Sequence, residues 1–137
     1  MSTYRAALWP QHSILARMIR LSVLYPATPT SKFDWDYYLG PHLVLAEKLL
    51  RPYGLIRIEV DRGVGAFPPG AALPFHAVGH LLFPSEEALE EAMNATAPAL
   101  IEDQMKYYDG QSVVQVNSVE RVITANRSVD PLPPPSQ

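Results

Sequence analysis

His42 and Tyr38 stand one helical turn apart in the stretch FDWDYYLGPHLVLAEKLLRPY, which runs from Phe33 to Tyr53. No other pair in the chain is better suited to chemistry. An imidazole accepts a proton near neutral pH, and a phenol hydroxyl donates to an oxygen on which negative charge develops. Residues four apart on a helix share a face, with about 6 Å between their Cβ atoms. That spacing suits removal of a proton beside a carbonyl by His42, with Tyr38 holding the carbonyl oxygen. The structural alternative is a core histidine bonded to a backbone carbonyl.

At about 100° per residue, Trp35, Tyr38, His42, Leu45, Ala46, Leu49 and Tyr53 fall on one face of this helix, with Glu47, Lys48 and Arg51 opposite. Tyr37 falls about 140° round from His42 and is expected at the surface or at a dimer contact. Asp34 is placed to cap the helix and Asp36 to meet its dipole. Pro41 removes a hydrogen bond to the Tyr37 carbonyl, which predicts a kink or a regular helix beginning near Leu39. Gly54 suits the C-cap.

Around this helix the alternation predicts four strands: Ile19 to Tyr25, LIRIEVDRG, FHAVGHLLF and SVVQVNSV. A second helix capped by Ser85 presents Leu89, Ala92, Met93 and Thr96 inward. Pro98 is expected to open a separate helical piece with Leu100, Ile101, Met105 and Tyr108 as its inner edge. The order strand, helix, strand, strand, helix, strand is that of an α+β, ferredoxin-like split βαβ sandwich with a four-stranded antiparallel sheet. A groove between helices and sheet is the expected ligand site, lined by Tyr25, Trp35, Met93, Met105 and Tyr108. The small Ala77 and Gly79 leave volume there. The opposite sheet face mixes Leu24, Val78 and Leu82 with Arg20, Ser22, Arg57, Glu59, His76 and His80, so a second subunit is expected over it. The Gly- and Pro-rich loop 64–74 is long enough to serve as a flap.

Composition narrows the classes. The 137 residues, 47% hydrophobic and 18% charged, suit one domain, expected over 18–125. A flexible leader over 1–17, with Met18 as a second candidate start, and a disordered Pro-rich tail over 126–137 are expected to flank it. A net charge of −3, with eleven scattered Lys and Arg, gives no footprint for nucleic acid. No apolar run approaches the roughly 20 residues that span a bilayer, and no signal peptide opens the chain, so no membrane association and a cytoplasmic location are expected. Zero cysteines exclude disulfides and thiolate chemistry. His76 and His80, four apart on a strand, lie about 13 Å from one another, too far to share an ion, and no metal or cofactor is expected. Asp103 is expected as solvated surface charge, with orientation of His42 as its alternative role. The Glu86, Glu87, Glu90 and Glu91 group is a solvated helix face.

These features together resemble the EthD family of dimeric α/β-barrel proteins. The matching segments are LYP at Leu24 to Pro26, FDWDYYLGPH at Phe33 to His42, GLIRIEVDRG, LLFPSEEAL and YYDGQSVVQV, spread over roughly residues 18 to 119. The resemblance implies a ferredoxin-like fold and a homodimer whose two sheets face each other. It places the family's helix histidine at His42 and its tyrosine pair at Tyr37 and Tyr38. The family takes its name from ethyl tert-butyl ether degradation and has no single established reaction. Related barrel families include lactone isomerases, polyketide cyclases, haem-using enzymes and cofactor-free monooxygenases. The resemblance implies an enzyme acting on a hydrophobic carbonyl compound, aromatic, lactone or polyketide-like, by cofactor-independent acid/base chemistry or oxygenation. The alternative is a non-catalytic binder or an accessory subunit of an oxygenase system.

Overall fold

A computed structural model describes residues 18–125; the expected leader and tail lie outside them. The four strands are β1 (Ile19–Pro26), β2 (Arg57–Arg62), β3 (Phe75–Phe83) and β4 (Val113–Ser118), in the order β2-β3-β1-β4. Every pairing is antiparallel, with Val23 opposite Gly79 on one side and Val114 on the other. This is the expected ferredoxin-like α+β sheet. Its helices are α1 (Trp35–Tyr37), α2 (Leu43–Leu50) and α3 (Glu86–Gln104), and α2 and α3 contact each other. No helix among the described residues is long and apolar enough to cross a membrane.

The interior divides by chemistry. An aliphatic cluster of Ile19, Leu21, Ala46, Leu50, Phe83, Leu89 and Ala92 fills one region, and an aromatic cluster around Tyr25, Tyr38, Ala77, Tyr107 and Tyr108 fills another. Alternation along β1 feeds both, since Ile19 and Leu21 enter the first and Tyr25 the second.

Two prolines act otherwise than periodicity predicts. Pro41 neither breaks nor simply kinks the helix: residues Tyr38–His42 form a π turn between α1 and α2, in which the Leu43 amide reaches back to the Tyr38 carbonyl. The wider turn accommodates a residue that cannot donate. Asp34 caps α1 through a 3.1 Å hydrogen bond from the Tyr37 amide, and Gly54, at φ 96°, closes the segment after a 3-10 turn at Arg51–Tyr53. Pro98 lies inside one continuous α3 rather than opening a second piece. Its ring is exposed, while Leu89, Ala92, Thr96 and Asp103 bury one face along the whole helix. Burial along that face outweighs the single lost hydrogen bond.

Candidate active site

His42 is buried, and both ring nitrogens have partners. Nδ1 lies 2.9 Å from Asp103 Oδ2, and Nε2 lies 3.2 Å from Tyr107 Oη. A carboxylate only accepts, so Nδ1 carries the hydrogen and Nε2 presents its lone pair. Asp103 is fixed in turn by the Tyr37 hydroxyl, which donates to Oδ1 at 2.8 Å, and by Lys106 Nζ at 3.6 Å. Burial pushes the Asp103 carboxyl up, but hydrogen bonds from His42 and Tyr37 outweigh it and hold the group below the usual carboxylate range.

The phenols extend this network. Tyr107 Oη lies 2.6 Å from Tyr25 Oη, and the Tyr25 ring packs edge-on against Tyr38 with 5.5 Å between centroids. Burial above all, and then neighbouring phenols, raises Tyr25 and Tyr38 far above ordinary tyrosine, and burial likewise raises Tyr107. All three stay protonated. The Tyr38 ring stacks on His42 with 5.7 Å between centroids, and its hydroxyl sits against Gly79, where a Cβ would approach to 2.7 Å. Glycine is required there by the close approach of a phenol to the strand.

Beside the network lies a cavity of about 320 Å³ between α2, α3 and the sheet. Leu21, Val23, Ala46, Leu81, Met93, Ala97 and Leu100 make most of its wall apolar, and among the described residues its polar lining is Tyr25, Tyr38, His42, Gln104, Tyr107 and Ser112. Among the described residues no Asp, Glu, Lys or Arg side chain lines it.

Of the residues expected at this site, His42, Tyr38, Tyr25, Gly79 and Met93 line the cavity. Trp35 does not: it packs on Phe33 at 4.8 Å, with Arg62 stacked 4.3 Å from its ring. Ala77 is buried among the tyrosines, whose rings take up the space its small side chain leaves. Met105 is 78% exposed, because the buried stripe of α3 continues in phase through Leu100 and Asp103 instead of restarting at Pro98. Tyr108 is buried but directed elsewhere, its hydroxyl donating to the Pro26 carbonyl at 2.7 Å. Tyr107 takes the expected place of Tyr108. The Asp34 amide bonds the Tyr107 carbonyl at 2.8 Å and Phe33 bridges Tyr108, which fixes this segment beside the helix entry.

Asp103 and Tyr37 are corrections of the opposite kind: Asp103 is expected first as solvated surface charge and only alternatively beside His42, and Tyr37 at the surface or a dimer contact. Asp103 is 7% exposed and holds His42. Tyr37 comes round to the same carboxylate because the π turn winds fewer degrees per residue than the α-helix used to place it. The loop 64–74 does not contribute to the cavity wall; Val64 and Phe67 are almost fully exposed. Among the described residues no three metal-ligating side chains gather.

No protein-family model matches the sequence, and no curated protein does. Solved structures are more informative. An EthD-like protein from Ralstonia eutropha aligns with a TM-score of 0.71 and 25% identity, covering 81% of this chain and 96% of its own. The chain shares the ferredoxin-like fold of this EthD-like protein. An EthD family protein from Bacillus halodurans aligns with this chain at a TM-score of 0.59 and 24% identity, covering 77% of this chain and 99% of its own. SnoaB, a cofactor-independent oxygenase from Streptomyces nogalater, aligns at 0.52 with 9% identity, covering 83% of this chain and 98% of its own. At that identity the likeness is one of fold.

Proposed function

We propose that this EthD-like chain is a small-molecule enzyme in which His42 acts as acid/base on a hydrophobic carbonyl compound held in the cavity. The supporting observation is the pairing of His42 Nδ1 with a buried Asp103, which leaves the Nε2 lone pair at the cavity wall. The 3.2 Å contact to Tyr107 is at the long end of the hydrogen-bond range, so an entering substrate displaces that hydroxyl readily. Nε2 then takes the proton from the carbon beside the carbonyl, and the C–H electron pair passes into an enolate. Tyr38, neutral because of burial, donates its O–H to the enolate oxygen. Return of the proton from the imidazolium to another carbon gives an isomer, and attack of the enolate carbon on a second carbonyl gives a ring. Reaction of the enolate with dioxygen is the fate that the shared fold with SnoaB brings into view.

The test is turnover of aromatic polyketides and lactones by wild type and His42→Ala. A general base contributes roughly 10²- to 10⁴-fold, and a loss of that size is expected. The mostly apolar cavity wall favours one second reading, a carrier of a hydrophobic metabolite. Ligand binding that survives His42→Ala, with turnover by neither protein, would establish it. We further propose that the protein is a homodimer, for reasons of surface chemistry given below.

A further inference from the structure

Gln104 and Ser112 are polar residues of the cavity wall that the acid/base scheme leaves unused. Ser112 Oγ donates to Gln104 Oε1 at 3.1 Å, across from the last turn of α3 to the residue before β4. That bond fixes the carboxamide and leaves its NH2 group, a double donor, with no partner among the described residues. Gln104 directly follows Asp103, the residue that holds His42, so the two polar stations stand at the same level of α3. Away from them, toward Leu21, Ala46, Leu81 and Met93, the wall is apolar.

We infer that Gln104 is a substrate-positioning residue that binds a second oxygen on the edge facing His42. The ligand class is then a neutral molecule with two oxygens on one edge and a hydrocarbon body, such as an enolisable 1,3-dicarbonyl or a dihydroxylated fused aromatic. Neutrality follows from the wall, because a carboxylate or phosphate buried there would meet no Lys or Arg among the described residues. The inference rests on the same cavity as the proposed function but is separable from it, since it concerns the second oxygen and not the proton transfer.

The experiment is a fluorescence titration of the full chain with 1-naphthol, 1,3-dihydroxynaphthalene and 1,8-dihydroxynaphthalene. At least one diol should bind about threefold to tenfold more tightly than 1-naphthol, the range of one net hydrogen bond. Gln104→Leu removes the carboxamide and leaves nothing to donate to or accept from a second hydroxyl; it should abolish the diol preference. Ser112→Ala, which frees the carboxamide, should reduce that preference. Affinity for 1-naphthol itself should persist in Gln104→Leu. Equal affinity of wild type for all three probes, or a diol preference unchanged in Gln104→Leu, overturns the role of Gln104 and leaves that of His42 to its own variant. Failure of wild type to bind any of the three overturns both.

Discussion

At the scale of single residues, the distinction that matters is between holding a proton and moving one. Asp103 does the first. Its lowered proton affinity is the mark of a carboxylate stabilised as an anion by donors, and the unfolded chain lacks those donors. The stability this contributes is fully present above the ordinary carboxylate pKa of about 4 and disappears as pH falls through the lower value of the folded state. Asp103→Asn has nothing to titrate at this position, so its stability deficit against wild type should be largest near neutrality and shrink below about pH 4. Chemical denaturation at a series of pH values measures this, and a deficit independent of pH would contradict it. Turnover should fall too, because an amide can present its NH2 to Nδ1 and so move the imidazole hydrogen to Nε2, the wrong nitrogen for a base. Tyr37→Phe keeps the carboxylate and removes one donor, and a smaller loss in both measurements is expected.

At the scale of elements, Pro41 connects sequence to site in a way that periodicity alone does not reveal. The π turn it occupies is what brings Tyr37 and His42 to a common carboxylate. Pro41→Ala removes the obstacle to a regular α-helix, and proline inside a helix is disfavoured by about 3 kcal/mol relative to alanine. The variant should therefore melt at the same temperature as wild type or higher, yet turn over more slowly as Tyr37 rotates away from Asp103. Thermal melts and steady-state rates on one preparation check this, and a faster enzyme would contradict it. The strands, the caps at Asp34 and Ser85 and the cap at Gly54 were legible in the sequence because alternation and capping are local. So were the positions of His42 and Tyr38, one turn apart under either helical winding. Tyr107 and Gln104 were not, and Asp103 was legible only as an alternative to solvated surface charge: their roles depend on where the end of α3 lies against a π turn about sixty residues earlier in the chain. The adjacent Tyr107 and Tyr108 have equal claim on the interior by type, and only the pinning of their backbone to Phe33 and Asp34 separates them.

At the scale of the whole molecule, the two faces of the sheet carry different chemistry. The helix-covered face holds the cavity. The other face bears a polar chain on which Asn117 donates to Ser22 Oγ, Ser22 pairs with His80 Nδ1 at 3.0 Å, and His80 Nε2 faces Asp61 at 3.1 Å. Leu24 and Val78 stand beside this network, and Val113, paired with Leu24, is 53% exposed. An apolar strip running through hydrogen-bonded polar groups suits a partner surface better than water, and a copy of the same face is self-complementary about a two-fold axis. Light scattering at micromolar concentration should give twice the 15.2 kDa mass of the chain, and a single-chain mass would refute the dimer. Leu24→Glu places a charge in the strip of both copies and should shift the protein to monomer. Because the cavity faces away from that strip, the monomeric variant should still bind 1-naphthol, so loss of the dimer and loss of the site are separable outcomes.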